Sequence, residues 1–293
     1  MGDTIHLEAV DGDLAAALRG LWARAEEADG VGAVSEAFRL AVGPARDGVV
    51  HLVRREGDEV VGYAQVASAG TPDAVAELVV DAAHRRAGHG CALLDAALAE
   101  DTRSVWAHGD LPAARSLAAS AGLERTRELF RMARPLTADD ATDPVLPEGC
   151  TARAFEPGRD DEDWVALNAA AFAHHPEQGR LTVADLRERM EQDWFDPEGF
   201  ILVERDGRVV AFHWTKVEPG SRSGEVYVVG VDPAEQGHGL GGPLTRLGTA
   251  HLARRGLAEV ELYVDGDNTA ARRTYARLGF EDAAVDVQYT VPR

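Results

Sequence analysis

The sequence is poor in cysteine and has no long apolar run. Its 293 residues include two cysteines, Cys91 and Cys150. Two cysteines are too few for a disulfide framework and lack metal-ligand spacing, so we expect a protein of the reducing cytoplasm. No flanking histidine accompanies either thiol, which argues against an acyl-enzyme. No stretch is apolar for long enough to span a bilayer, and residues 1–10 do not resemble a signal peptide, so no membrane partner is expected.

Positive charge is also scarce. Thirty basic residues stand against 50 acidic ones, and the formal net charge is −20. Nucleic-acid binding needs a basic face, so we expect no nucleic-acid partner. An acidic balance of this kind is typical of a solvated surface that aids solubility. Lys216 is the only lysine, and arginine occupies every other basic position.

The chain contains an internal repeat. Its length is about twice that of a common domain, which favours two domains. A hairpin at 60–63 corresponds to one at 209–212, and each follows a charged turn. Further matches follow in the same order: 78–81 with 229–232, 85–90 with 236–241, 113–115 with 270–272, and 122–123 with 279–280. We therefore predict two copies of one domain, at 1–138 and 150–293, joined by a linker at 139–149 that is rich in Asp, Thr and Pro.

Each copy is predicted to have an α/β fold with a mixed (α+β) sheet. One or two helices open the copy, followed by a hairpin, a third strand and a Gly-rich turn. The next helix is placed at 91–100 and at 240–255, and the strand after it at 105–107 and at 260–264. A short helix and a last strand close each copy, which makes a sheet with interleaved helices.

The Gly-rich turn at 236–241 is a candidate anion site. Unpaired amide N–H groups at a helix start, together with the helix dipole, favour a phosphate there. Glycine lets the backbone approach the phosphate closely. A single turn of this kind is equally well a plain β-to-α connection. Its presence at the same place in both copies favours a phosphate site.

These motifs resemble the GCN5-related N-acetyltransferase (GNAT) family. Its signature is Gln or Arg, two variable residues, Gly, one variable residue, then Gly or Ala, and both 236–241 and 85–90 fit it. Many members carry an arginine where this chain has Gly237 and His238, a departure that weakens the charge and leaves the amides. A closer resemblance, to the tandem-domain mycothiol synthases of the family, is carried by 175–179, 195–197, 212–217, 224–228, 262–264, 267–268 and 274–275.

The resemblance implies two tandem acetyltransferase domains, acetyl-CoA as co-substrate and no metal. The implied acceptor is a small sugar-linked amine, the cysteinyl α-amine of cysteinyl-glucosaminyl-inositol, acetylated by direct transfer in a ternary complex. We expect a monomer. Two other functions stay open: an N-acetyltransferase for another small amine, such as an aminoglycoside or a peptide N-terminus, and a non-catalytic acyl-CoA-binding regulator.

The resemblance also implies which residues hold acetyl-CoA. In the second copy they are Val229, Gly230, Val231, Gln236, Gly237, His238, Gly239, Leu240, Gly241, Gly242, Asn268, Thr269, Ala270, Ala271, Arg272 and Arg273. In the first copy the equivalent set is Leu78, Val79, Val80, Arg86, Ala87, Gly88, His89, Gly90 and Cys91.

Acetyl transfer to an amine needs a base for the amine and an acid for the departing thiolate. Glu225, at the start of the strand before the turn, is the candidate base, acting directly or through a water. Tyr275 is the candidate acid, by resemblance to the family. Each alone is as readily structural, a surface carboxylate or a core aromatic. The first copy has Ala74 for Glu225, Ala118 for Tyr275 and Leu111 for Asn268, so we expect it to be inactive in transfer, and its acetyl-CoA binding stays open.

The acceptor-binding residues are implied by resemblance alone. They are Glu36, Glu177, Lys216, Glu225 and Tyr263. Carboxylates and an ammonium suit hydroxyl-rich rings, although each charged residue by itself is more often a surface charge. His174 and His175 beside Glu177 do not make a metal site, because adjacent side chains diverge and no third cluster supports them.

Overall fold

The computed structural model describes residues 3–173 and 178–292. It divides the chain into two compact units, the first comprising Met1–Leu129 with Ala284–Arg293 and the second Phe130–Ala283. Within the described ranges, no helix is long and apolar enough to cross a membrane.

The first unit is a mixed sheet with helices on both faces. Its elements are β1 (Thr4–Leu7), α1 (Gly12–Asp29), α2 (Glu36–Leu40), β2 (Val50–Glu56), β3 (Glu59–Ala67), β4 (Val75–Val80), α3 (His89–Ala99), β5 (Ser104–Ala107), α4 (Pro112–Ser120) and the start of β6 (Glu124–Pro135). The strand order is β1-β2-β3-β4-β5, followed by the chain's last strand, β12 (Glu281–Thr290). β4 and β5 run parallel, and the other pairs are antiparallel.

Alternation along the strands places a helix on each face of this sheet. Val53 and Tyr63 pack with α1, whereas their neighbours Leu52 and Ala64 pack with α3. Since successive strand residues point to opposite faces, the apolar run is buried on both sides. Helix α1 begins at a capping side chain, where the Asp11 carboxylate accepts the Leu14 N–H at 2.7 Å.

The second unit repeats this plan. Its elements are β7 (Cys150–Ala154), α5 (Asp161–Ala171), α6 (Val183–Met190), β8 (Phe200–Arg205), β9 (Arg208–Lys216), β10 (Ser223–Val231), α7 (Gly241–Arg254), β11 (Glu259–Asp265), α8 (Thr269–Arg277) and the start of β12. The order is β7-β8-β9-β10-β11-β6, with β10 and β11 parallel. Trp164 of α5 and Trp214 of β9 are fully buried at the centre of an aromatic cluster on one face. Helix α7 packs on the other face.

The α/β fold with a mixed sheet is confirmed, and the predicted helices and strands differ by at most two residues at their ends. One expectation is wrong: the copies do not each close with a strand of their own. Ala284–Arg293 belongs to the first unit, where Val287 of β12 pairs with Ala107 of β5. β6 continues from Phe130 into the second unit. A strand pattern shows that a segment is extended but not which strand it will pair with, so the boundaries 1–138 and 150–293 stay predictions about folding units.

Candidate active site

The Gly-rich turn of the second unit exposes its backbone. Gly237 and Gly239 both have φ of +80°, and among the described atoms nothing lies within 4 Å of where a Cβ would stand at either position. The backbone here therefore needs glycine and borders open space. Helix α7 then begins at Gly241, and no described side chain caps it. Its first-turn amides are consequently available to an anion.

The first signature residue closes the turn in both units. Gln236 donates from Nε2 to the carbonyl oxygen of Val231 at 3.4 Å, and Arg85 donates from Nε to that of Val80 at 3.2 Å. Arg85 also makes a bidentate ion pair with Asp29, with both N–O distances 2.7 Å. The signature side chain thus ties the strand end to the turn rather than pointing at a ligand.

Strands β10 and β11 separate at the site. Their parallel pairing runs from Ser223 opposite Glu259 to Val226 opposite Leu262. Both strands continue beyond that point, to Val231 and Asp265, without a further recorded pair in the described chain. The facing edges therefore offer backbone N–H and C=O groups to an extended ligand. This opening leads toward the Gly-rich turn.

A β-bulge marks the point of separation. The register between β10 and β9 shifts between Val226 and Val228, which leaves Tyr227 as the extra residue. The equivalent pair in the first unit, β4 with β3, keeps a continuous register from Val75 to Val80. The bulge corrects the alignment of the two copies that was made from the sequence. Glu225 pairs with Lys216 in the second unit, and Val75 pairs with Ala67 at the same place in the first unit. The counterpart of Glu225 is therefore Val75 and not Ala74. The first unit still has no carboxylate there.

The pairing register brings three predicted residues to one face. Lys216 pairs with Glu225, and Glu225 pairs with Glu261 on β11. Paired residues share a face, and Tyr263, two residues beyond Glu261, lies on the same face. Sequence reasoning missed Glu261, which forms an ion pair with Arg131 of β6 at 2.6 Å. Across β9, β10, β11 and β6, this face therefore carries Lys216, then the two neighbouring carboxylates of Glu225 and Glu261, then Arg131.

Tyr275 approaches the opening from the other face. It lies on α8 in the core cluster that contains Val226 and Leu262, whereas the neighbouring Glu225 points to the opposite side. Burial raises the pKa of Tyr275 to about 12. Burial is the cause of this shift, and no hydrogen bond to a described residue contributes to it. The phenol therefore keeps its proton at neutral pH and is available as a donor.

The predicted residues of α8 have different surroundings. Asn268 caps the helix, its side-chain oxygen accepting the Ala271 N–H at 3.1 Å. Arg272 pairs with Asp282 at 2.7 Å and lies over the ring of Phe130. Arg273, by contrast, is exposed. The Arg272 side chain is therefore engaged within the protein, whereas that of Arg273 is accessible to solvent.

The first unit holds a buried ion cluster where β4 and β5 separate. The last β4–β5 pair is Glu77 with Trp106. Nε2 of His108 lies 3.1 Å from Glu77, and its Nδ1 lies 3.0 Å from Asp286. Burial alone would lower the pKa of His108, but the two carboxylates outweigh it and raise the pKa to about 10. In the first unit, this ion cluster therefore lies where β4 and β5 separate, whereas in the second unit the bulge of β10 marks the corresponding point.

Other predicted positions are placed as follows. Glu36 is the first residue of α2. Cys91 is exposed near the start of α3, and Cys150 is on β7, three strands from β10 in the sheet order. His174, His175 and Glu177 lie outside the described residues.

The described ranges contain one possible metal-ligand group, Glu59, Asp81 and His84, whose ligand atoms lie within 4.8 Å of one another. The guanidinium of Arg24 already binds the Asp81 carboxylate at 2.7 Å. Because that cation competes with any metal ion, the group does not make a convincing metal site.

Comparison with known proteins identifies the family to which the chain belongs. Residues 164–280 match the Acetyltransferase (GNAT) family. The mycothiol acetyltransferase of Streptomyces coelicolor is 51% identical over 93% of this chain and 90% of its own length. That of Kytococcus sedentarius is 50% identical over 92% of this chain and 91% of its own.

Solved structures show the same fold. A tandem GNAT protein from the clavulanic acid biosynthesis pathway has a TM-score of 0.73 at 21% identity, covering 99% of this chain and 98% of its own. A GCN5-related N-acetyltransferase from Sphaerobacter thermophilus has a TM-score of 0.70 at 26% identity, covering 98% and 94%.

Proposed function

Since the chain belongs to the GNAT acetyltransferases and, within them, to the mycothiol acetyltransferase family, we propose that it acetylates the cysteinyl α-amine of cysteinyl-glucosaminyl-inositol. It is an acetyl-CoA-dependent N-acetyltransferase that acts in mycothiol biosynthesis, and this transfer would be the last step. The observation that carries the proposal is the pair of Glu225 with Lys216, directly before the bulge of β10 and the opening toward β11. The equivalent pair of the first unit, Val75 with Ala67, has neither charge, and no bulge follows it.

Acetyl-CoA is expected to bind the second unit along that opening. The exposed amides of the Gly-rich turn and the start of α7 suit its pyrophosphate, and Arg273 suits a phosphate further along. The unpaired edge of β10 suits the amide groups of the pantetheine arm. The thioester then lies near the bulge, where a backbone N–H can stabilise the developing oxyanion.

The reaction needs removal of protons from the amine and stabilisation of the departing sulfur. Glu225, directly or through a water, takes a proton from the protonated α-amine, whose pKa is near ~8, so that the free amine can attack the thioester carbonyl. The C–N bond forms, the C–S bond breaks, and the nitrogen gives up its second proton to solvent. Tyr275 donates a hydrogen bond to the departing sulfur, which leaves as a thiolate and then takes a proton from solvent to give the thiol of CoA.

Direct transfer is favoured over an acyl-enzyme by the position of the cysteines. Cys150 is on the edge strand β7, with β8 and β9 between it and β10, and Cys91 belongs to the first unit. Cys150 is therefore not at the opening, and Cys91 is not part of the unit that contains it. We therefore propose a ternary complex in which the second unit transfers acetyl and the first does not.

Acceptor recognition is assigned to the polar face of the sheet. Lys216, Glu225 and Tyr263 lie there together, and Tyr263 is 43% exposed. Glu36 and Glu177 are retained as acceptor-binding residues on the family resemblance. Hydroxyl groups of a sugar or inositol can bond to carboxylates and to an ammonium in several directions, which suits this set.

The proposed acceptor is tested by turnover with a panel of amines. Steady-state rates would be measured for cysteinyl-glucosaminyl-inositol, cysteinyl-glucosamine, free cysteine, an aminoglycoside and a short peptide. We expect kcat/KM to fall at each truncation, because binding contacts to the rings are lost. Equal kcat/KM for the simple amines would favour a general amine acetyltransferase, and no turnover of any amine would favour a non-catalytic acyl-CoA-binding protein.

The pyrophosphate site is tested by Gly239→Val. A side chain there fills the open space beside the amides and disfavours φ of +80°. Losing one or two hydrogen bonds to a charged group is worth ~1.5–3 kcal/mol each, so we expect the KM for acetyl-CoA to rise at least ~10-fold. Gly220→Val is the matched control, since Gly220 has φ of +79° and an equally open surround away from the turn.

The measurement should use the full chain, because a fragment of residues 150–293 lacks the part of β6 that belongs to the second unit. Melting temperatures of the two valine variants would show whether their strain is equal. An unchanged KM for acetyl-CoA in Gly239→Val would remove the turn from the cofactor site.

A further inference from the structure

Lys216 is held between two aromatic rings. Its Nζ lies 5.1 Å from the ring centre of Trp194 and 5.5 Å from that of Tyr227. The lysine is 8% exposed and the tryptophan 5%. Rings at these distances attract an ammonium by about 0.5–2 kcal/mol, with the higher value at desolvated sites. We call Lys216, Trp194 and Tyr227 the ammonium niche.

A residue of helix α6 holds the Tyr227 side of the ammonium niche by a hydrogen bond. Arg189 donates from Nε to the hydroxyl of Tyr227 at 3.0 Å, and from Nη1 to the carbonyl oxygen of Asp185 at 2.9 Å. The ring centre of Tyr227 lies 4.9 Å from that of Trp194. Because Tyr227 is also the bulge residue of β10, this hydrogen bond fixes its ring and the bulge together.

The equivalent positions of the first unit, all of them among the described residues, do not form such a niche. Ala67 stands at the position of Lys216, and Val75 at that of Glu225. The continuous register of β4 in that unit provides no bulge residue to match Tyr227. The niche therefore accompanies the unit that carries the candidate base and acid.

The residue type is informative as well. Arginine fills every basic position of the chain except this one. A guanidinium is planar and directs its donors in a fixed fork, whereas an ammonium is compact and its three donors rotate. A compact cation between two rings can direct its N–H groups at hydroxyl oxygens in several directions.

The ammonium also has an exchangeable partner. Glu218 lies 2.9 Å from Nζ, and its side chain is 60% exposed. Because the Glu218 carboxylate is itself exposed, it can turn to solvent when a substrate hydroxyl takes its place beside Nζ.

We propose that Trp194, Tyr227 and Arg189 are positioning residues that hold the Lys216 ammonium beside Glu225, so that the enzyme selects amines carrying a polyhydroxylated ring. The proposal deepens the proposed function and rests on it for the identity of the acceptor. Trp194 and Tyr227 act on the ammonium through their ring faces, and Arg189 acts through Tyr227.

The niche can be observed without activity, because a chain with one lysine gives one lysine signal. Full-length protein labelled with ¹³C at lysine would show a single ε-methylene resonance by NMR. Ring currents should shift its protons upfield of a free lysine. Trp194→Leu should reduce that shift most, because it removes a ring. Tyr227→Phe and Arg189→Gln should each reduce it in part and to a similar degree, because both keep the Tyr227-position ring but remove the hydrogen bond that fixes it.

Kinetics separates positioning from general destabilisation. Arg189→Gln and Trp194→Phe should raise the KM for the ring-bearing acceptor by about 3–30-fold, the range that a cation–π contact supports. The KM for acetyl-CoA and the kcat/KM for free cysteine should stay within about twofold of the parent. Lys216→Arg, which keeps the charge, should lose the ring preference.

Arg187→Gln is the matched control on the same helix. Arg187 pairs with Asp161 at 3.0 Å and not with Tyr227, so its variant should leave both KM values and the lysine resonance unchanged. In a double mutant, Tyr227→Phe should add nothing to Arg189→Gln, since both remove the same hydrogen bond.

The experiments on the ammonium niche distinguish failure of the positioning role from failure of the proposed function. If the parent enzyme does not prefer the ring-bearing amine, the proposed acceptor is wrong, and the lysine resonance still decides whether the niche exists. If the parent prefers that amine but Arg189→Gln and Trp194→Phe keep its KM, the positioning role is overturned. A lysine resonance at the free position, unmoved by Trp194→Leu, also overturns it.

Discussion

Tyr275→Phe is expected to lower kcat by ~10²–10⁴, the usual contribution of a general acid or base. Burial raises the pKa of this phenol to about 12, so it holds its proton throughout the neutral range. A thiol has a pKa near ~8.5, and the phenol therefore stabilises the departing sulfur mainly as a hydrogen-bond donor. Because a higher pH provides no additional hydrogen-bond donor, raising the pH should not restore the rate.

Glu225→Gln provides the contrasting half of this experiment. The rate at neutral pH should fall toward the lower part of the same range, since an amine with pKa near ~8 is already partly deprotonated. Between about pH 7 and 9 the lost rate should largely return, because the fraction of free amine rises. Tyr289→Phe is a suitable control: burial likewise raises the pKa of Tyr289 to about 12, but its hydroxyl bonds Asp110 in the first unit.

Two results would contradict the assignments. A Tyr275→Phe enzyme with kcat within about threefold of the parent would leave the sulfur to another donor. A Glu225→Gln enzyme with a full rate at every pH would show that the amine loses its proton elsewhere. In either case the opening between β10 and β11 could remain the binding site, and only the chemical roles would change.

His108→Gln is expected to lower the free energy of unfolding by about 3–5 kcal/mol, as when one partner of a buried ion pair is removed. Glu77 is 2% exposed; it forms an ion pair with His108 and accepts the Ser35 N–H at 2.7 Å. Without the imidazolium, Glu77 and Asp286 would lose the cation that both of them contact. Denaturant unfolding of the full chain at pH 7 measures the loss.

The same cluster predicts a pH dependence of stability. The pKa of His108 is raised to about 10 in the folded chain, from an ordinary value of 6.5. Its contribution is therefore complete below pH 6.5 and is lost as the pH rises toward 10. The parent should lose stability over that window, and His108→Gln should lack this part of the slope.

A surface histidine supplies the control for that experiment. His6 lies 3.0 Å from Glu100, and its side chain is 48% exposed. His6→Gln should cost at most ~1 kcal/mol, as expected for an exposed pair. If His108→Gln cost no more than His6→Gln, the buried cluster would not stabilise the first unit.

The fold class, the repeat and the Gly-rich turns can be predicted from the sequence, because each depends on local patterns. A glycine with positive φ determines a turn at its own position, and alternating apolar residues determine a strand over a few positions. The repeat then supports each assignment by a second example. Lys216, Glu225 and Tyr263 stand out in the sequence as separate positions, and only the pairing register shows that they share a face.

The rest depends on information that a local pattern does not contain. The bulge at Tyr227 adds one residue without glycine or proline to mark it, and the alignment of Glu225 with Ala74 is wrong by that one residue. Trp194 and Arg189 have ordinary neighbours in sequence, and their importance comes from contacts with β10. The ion cluster of His108 involves Asp286, 178 residues away.

The chain's last strand, β12, completes the first unit, and this has a consequence for how the protein is synthesised. Ala284–Arg293, which supplies the strand beside β5, follows the whole second unit in the chain. A ribosome therefore delivers most of the first unit early and its missing strand only after Ala283 has been translated. Until then, the nascent first unit exposes the edge of β5 and leaves His108 without Asp286. Chaperone capture and premature cleavage should therefore fall mainly on the half that is synthesised first.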